Sequence, residues 1–320
     1  MLVCLDGSPN SELSLPYMLG MARTFGSVVT LVRVLEASML RHAGPQSNDV
    51  LEWEISRREG CAYLERLQAQ TSNALERPVH IRLEQGLPAE RIVETARDID
   101  ADLIVLSSHG EGESTLANLG STAQQVLAIT HVSVFIVHAS QSERRTSPRR
   151  LLVPLDGSLR TESVLPTAAR IANAYGAELL LVHVVQEPLP SLVLRAPEDL
   201  SLAHTLATSL ELAANRYLQA LRDRLANESA SVRTLVVRHA NERQALLEVS
   251  GTEQVDLIVL SAHGSACDPL HSFGSVTTDL LTHSQLPMLV LQDLPEQDSD
   301  REQGRGVAPR LRTSHPPEGE

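Results

Sequence analysis

The chain is written twice, and that duplication limits its possible folds more than any other feature. LVCLDGS at residues 2–8 returns as LVPLDGS at 152–158, 150 residues later. DLIVLSSHG at 102–110 returns as DLIVLSAHG at 256–264, now 154 residues later, which places about four extra residues in the middle of the second copy. Leu15-Pro16 likewise returns as Leu165-Pro166. So long a period describes a duplicated domain rather than a solenoid. A length of 320 residues also suits two cores better than one. We expect domains at 1–140 and 151–293, with a polar linker at 141–150 and a disordered tail at 294–320.

Each copy has the same pattern. A short apolar run (residues 2–5; 151–155) reads as a strand buried on both faces, and a turn and a helical pattern follow it. Gly26 and Gly176 punctuate the end of that helix. A second strand (28–34; 178–185) precedes a variable stretch and a longer amphipathic helix (51–72; 199–227). A third strand (79–83; 232–237), a short helix, a fourth strand (103–106; 257–260), a last helix and a last strand (134–137; 288–291) complete the copy. Strand-helix alternation with apolar, β-branched strands predicts an α/β fold with a parallel sheet covered on both faces. The first strand of copy one starts right after Met1, so it is either short or preceded by a start codon assigned too late.

Composition removes several chemistries. Net charge is −13 and all 27 basic residues are Arg, which argues against nucleic-acid binding and leaves no lysine for a P-loop or a Schiff base. Cys4, Cys61 and Cys267 are too few and scattered for a disulfide framework or a zinc site, and the histidines form no metal-ligand spacing. No signal-peptide layout is present and no apolar run approaches a membrane span, so a cytoplasmic protein is expected.

The repeated polar clusters fall just past strands one and four. With strand order 3-2-1-4-5 these strands flank the switch point, where ligands bind beyond the carboxyl ends of parallel strands. Asp6 and Asp156 could accept from a ribose hydroxyl or an adenine amine, or simply cap the turn before the first helix. Gly110 and Gly264 let the backbone approach a ligand closely. Nine residues on, Gly120-Ser121 and Gly274-Ser275 open a helix with Ser as its expected N-cap, and such a loop and helix start cradle an anion without lysine. His109 and His263 lie within the motif, but a packed loop histidine explains them better than a catalytic one. The plainer alternative for the motif is a strand-ending Gly and a helix-capping Ser with no ligand.

These residues resemble the universal stress protein family in its tandem form. LVPLDGS, DLIVLSAHG and, nine residues on, GSV carry the resemblance, which covers both halves. It implies two open parallel five-stranded sheets of order 3-2-1-4-5, akin to the adenine nucleotide alpha hydrolase fold. It also implies ATP binding, with Mg2+ as a possible companion, in members that keep the motif. Mapped onto this chain, the site of the second half is Asp156, Val184, Ser261, His263, Gly264, Gly274, Ser275 and Val276. The first half offers Asp6, Val34, Ser107, His109, Gly110, Gly120, Ser121 and Thr122. The resemblance further implies pairing of the two last strands as an intramolecular pseudo-dimer, with a further homodimer possible.

Departures from the family pattern set an order between the halves. Ser107 and Ser261 stand where the motif has its first Gly. Glu111 and Glu113 follow the first His-Gly, where ATP-binding relatives commonly carry a basic residue, and carboxylates there would repel phosphate. The second half has Ser265 and Asp268 instead, and Ala240 replaces Gly86. The sequence therefore ranks the second half as the nucleotide site and the first as a degenerate copy. The leading function is an adenine-nucleotide-binding regulatory module in a stress response, not an enzyme. The alternatives are a nucleotide-free, partner-binding scaffold and, last, a slow ATPase.

Overall fold

The opening strand of each repeat, β1 (Leu2–Cys4) and β6 (Arg150–Pro154), is short and almost wholly buried, as a central strand covered on both faces must be. A computed structural model describes residues 1–36, 47–110, 119–138, 147–186, 197–226, 231–265 and 272–292. It resolves into two compact units dividing near residue 147. The expected tail, most of the expected linker, and Glu111, Glu113 and Asp268 lie outside the described residues.

In the first unit β1 is followed by α1 (Pro9–Glu12), α2 (Ser14–Phe25), β2 (Val29–Glu36), α3 (Ser47–Leu75), β3 (Val79–Gly86) and α4 (Pro88–Asp98). Then come β4 (Leu103–Ser107), α5 (Ser121–Ile129) and β5 (Ser133–Val137). The second unit repeats the order: β6, α6 (Leu159–Glu162), α7 (Leu165–Tyr175), β7 (Glu178–Gln186), α8 (Pro197–Leu225) and β8 (Val232–His239). It closes with α9 (Glu242–Thr252), β9 (Leu257–Ser261), α10 (Ser275–His283) and β10 (Met288–Leu291). Every strand predicted from the apolar runs is present, and β2, β3 and β8 extend two or more residues beyond their predicted ends.

Within each unit the strands run parallel in the order 3-2-1-4-5. Leu2 pairs with Thr30 on one side and Ile104 on the other, and Leu151 pairs with Leu179 and Leu257 in the same way. The central strands supply the core: Leu2, Val3, Ile104, Val105, Leu151, Leu152 and Ile258 are fully buried. Each such aliphatic side chain stabilises the fold by about 1.5–3 kcal/mol relative to exposure. Tyr17 of α2 packs on Phe135 of β5, with ring centroids 5.8 Å apart. Gly26 and Gly176 end α2 and α7 in the left-handed conformation (φ 67° and 62°), as their positions after the helical pattern predict.

Candidate functional site

Strand order reverses between β1 and β4 in the first unit and between β6 and β9 in the second, so the loops leaving these strands face each other across a crevice. Asp6 leaves β1 there. Its Oδ1 accepts the Ser8 amide at 2.8 Å, and Ser8, rather than Asp6, caps α1 by accepting from the Ser11 amide at 3.2 Å. The same pair recurs in the second unit as Asp156 with Ser158 N (2.9 Å), while Ser158 caps α6. The aspartates therefore do cap the turn before the first helix, through the Ser8 and Ser158 amides, while the serines cap the helices themselves.

Across the crevice, Gly264 touches Asp156 so closely that an added Cβ would lie 2.5 Å from Asp156 Oδ2, and Gly110 meets Asp6 more closely still. Glycine is favoured here by the close approach of the carboxylate rather than by backbone conformation, since neither residue has a positive φ. Further along, the helix start differs from the expected one. Gly120 and Gly274 are themselves the N-caps of α5 and α10, with extended backbone (φ −64° and −68°), and Ser121 and Ser275 are the first helical residues. Neither helix has a side-chain cap. The loop is pinned instead by backbone bonds from Gly120 N to Ser108 O (2.7 Å) and from Gly274 N to Ala262 O (2.8 Å). A helix start without a side-chain cap can direct its first-turn amides to an acceptor from outside the helix.

In the first unit these parts enclose one cavity of about 510 Å³. Seven of the eight residues expected in this half line it: Asp6, Val34, Ser107, Gly110, Gly120, Ser121 and Thr122. His109 does not; it is buried, with Nδ1 at 3.0 Å from Ser108 Oγ. Ser107 Oγ donates to the His109 carbonyl at 2.8 Å and so stiffens the loop. Repeat matching alone does not identify the opposite wall, formed by Arg33 and Glu36 from β2 and by Ser56 and Glu59 from α3. Arg33 lies over the Tyr63 ring, 5.2 Å from its centroid, and against Gly7. Cys4 forms part of the floor, and burial pushes its thiol far above the ordinary range, which makes it inert as a nucleophile.

The second crevice is filled differently. Burial works against the charge of Asp156, yet donors outweigh it: Ser158 N, Thr161 Oγ1 (2.8 Å) and Ser265 N (2.6 Å) bring its pKa down to about 2. Glu242, at the start of α9, is half-buried nearby, and burial together with the Asp156 charge raises its pKa. The matching residue in the first unit is Pro88. This second carboxylate was missed because it lies outside the motif, although the Pro88/Glu242 mismatch is visible when the copies are aligned. Ser261 is 4% exposed, its hydroxyl has no hydrogen-bond partner among the described residues, and its carbonyl accepts from Thr277 Oγ1 at 3.0 Å. His263 is 1% exposed. Of the second-half candidates, Val184 alone lines a separate, smaller slot of about 330 Å³ beside α8.

The two crevices differ in room and in lining. The roomier one, in the first unit, is lined by the Arg33 guanidinium and by the carboxylates of Asp6, Glu36 and Glu59, while the second holds Asp156 and Glu242. Among the described residues no group of three or more His, Cys, Asp and Glu could hold a metal ion.

The model of the Universal stress protein family matches residues 1–138 and again 148–292. A universal stress protein of Methanocaldococcus jannaschii is 27% identical over 138 residues, 43% of this chain and 81% of that protein. One of Mycobacterium tuberculosis is 26% identical over 213 residues, 63% of this chain and 65% of that protein. The crystal structure of a universal stress protein from Archaeoglobus fulgidus superposes with a TM-score of 0.63 at 19% identity, covering 91% of this chain and 97% of that one, and so shares the fold. The chain spans slightly less than two thirds of the mycobacterial relatives it matches, 63% in Mycolicibacterium smegmatis and 65% in Mycobacterium tuberculosis.

Proposed function

The chain belongs to the universal stress protein family, carrying its domain twice, and from that premise we propose that it is a cytoplasmic regulatory module of a stress response that binds one adenine nucleotide, ATP, in its first unit. The observation that carries this reading is the 510 Å³ cavity, which gathers seven spaced-out motif residues onto one surface. Its size lies within the range typical of small-molecule sites. Asp6 would accept from ribose or base at one end beside Val34. At the other end the amides of the α5 N-terminus would receive phosphate oxygens, aided by the helix dipole. Glu36 and Glu59 favour delivery of the nucleotide with Mg2+, which would offset phosphate charge near these carboxylates. No described helix is long and apolar enough to cross a membrane.

One feature of the second unit supports the scaffold reading for that half. Asp156 already accepts three hydrogen bonds from the chain's own donors, and Glu242 adds a second negative charge where phosphate would approach. We therefore assign nucleotide binding to the first unit only. Titration calorimetry of the full chain with ATP, with and without Mg2+, tests this. Binding is expected to be retained in Gly274→Asp and weakened at least tenfold in Gly120→Asp. No heat and no thermal shift at millimolar ATP would overturn the assignment.

A further inference from the structure

We propose that the apolar slot of the second unit, with the carboxylates at its end, is a docking site for a segment of this chain's own C-terminal region, Arg305 to Arg312. That octapeptide reads RGVAPRLR, with three arginines, no acidic residue, and the apolar Val307, Ala308 and Leu311. It lies outside the described residues. Residues 293–302, which connect it to the second unit, carry five carboxylates and one arginine, so the segment is a basic and apolar island in an acidic chain.

The slot matches both properties. It offers about 330 Å³ between β7 and α8, and its walls are apolar: Val184, Val185, Leu210, Ala213 and Ala214. The equivalents of the last three in the first unit are Ser56, Glu59 and Gly60, so this wall is peculiar to the half to which the segment is attached. Leu210 is 47% exposed, an apolar surface that a seated Leu311 would cover. At one end stands Tyr217, close enough to Glu162 and Asp156 for both carboxylates to act on its phenol, and Glu242 lies beside Asp156. Arg224 offsets Glu162 at 2.9 Å, but Asp156 and Glu242 form no ion pair among the described residues. Leucine in the slot brings the arginine on either side of it toward these two carboxylates, a favourable pairing where a phosphate would be repelled.

The tether has the right length. All strands of the unit run parallel, so Gln292, just after β10, leaves the sheet at the edge where β7 ends with Val184 to Gln186. β9 and β6 lie between, and three strand spacings amount to about 14 Å. Val307 follows Gln292 by fifteen residues. A coil of that length spans about 20 Å root mean square. Span and distance match, so the local concentration of the segment is of the order of millimolar and even a weak contact is populated, an advantage that a second copy's segment lacks. This inference goes beyond nucleotide binding in the first unit and does not rest on it, because the two clefts share no residue.

Limited trypsin digestion of the full chain, read by mass spectrometry of the released C-terminal peptides, tests it. Cleavage after Arg305, Arg310 and Arg312 is expected to be at least fivefold slower in the unchanged chain than in Leu311→Asp. Ala213→Trp, at an exposed position that fills the slot without entering the core, should speed cleavage equally while the melting curve stays unchanged. Glu242→Arg should speed it severalfold through charge alone. With p-benzoylphenylalanine in place of Leu311, photocrosslinks are expected to segments 183–186 or 206–217 of the same chain, in a yield independent of protein concentration. Equal cleavage rates in all four chains, crosslinks to the first unit, or crosslinks that join two chains would overturn the proposal. Loss of ATP binding in the first unit would leave the digestion pattern untouched, so the two readings fail separately.

Discussion

Asp156 and Glu242 lie near each other, yet they pull stability in opposite directions with pH. The donors around Asp156 hold its folded pKa at about 2, below that of the unfolded chain. Its stabilising contribution is therefore complete above the unfolded value and is lost as pH falls toward 2. Glu242 is raised on folding, so its charged form opposes the fold at neutral pH and that penalty disappears on acidification. Asp156→Asn should lower stability at pH 7 by about 1.5 kcal/mol, or about 5 °C in Tm for a unit of this size. The loss should shrink steadily below pH 4. Glu242→Gln should raise Tm at pH 7 and cease to do so in acid. Thermal melts of the full chain at stepped pH read both, and parallel pH profiles for the two variants would contradict the assignment. At this scale the sequence identified the repeated aspartates and glycines, because duplication marked them. It was silent on Glu242 and Arg33, because what matters about each is its difference from its counterpart, Pro88 or His183, and a search for matches passes over differences.

At the scale of the element, α5 and α10 begin at glycine where serine caps were expected, and the backbone there does not require glycine. An added Cβ at Gly274 would meet its nearest neighbour, the Ala262 carbonyl, at 3.4 Å, an ordinary contact. Gly274→Asp should therefore supply the missing cap and a favourable charge at the positive helix end, raising stability by about 0.5 kcal/mol. Gly120→Asp should block the phosphate end of the first cavity. A variant that melts higher alone but gains less from ATP separates a binding role from a folding one, and differential scanning calorimetry with and without ATP measures it. Helix and strand identity was legible throughout, since fully apolar runs and Gly-terminated amphipathic stretches leave few alternatives. The cap was misread because Gly-Ser satisfies two local rules at once, and only the backbone dihedrals decide between them.

For the whole molecule, the duplication could be read from two repeated strings and the departures within them showed the copies to be unequal, while the difference in cavity volume could not be read. Both copies keep the spacing that builds a crevice at the strand-order switch, so the fold is the same. Cavity volume and charge come instead from side chains on β2, α3 and the start of α4, and from their counterparts on β7, α8 and α9. These elements carry no motif and have diverged freely. On the proposed assignment the expected stoichiometry is one ATP per chain, although the sequence displays two cradles. Hydrogen exchange of the full chain at saturating ATP should slow amides in segments 5–11, 107–110 and 119–124, and leave 155–161, 261–265 and 272–277 unchanged. At a hundredfold excess over Kd, binding adds about 2.7 kcal/mol to the occupied unit, which corresponds to a large protection change in its slowest amides. Equal protection in both sets would mean that the carboxylate pair does not exclude phosphate. The inequality of the clefts would then lie in affinity rather than in ligand class.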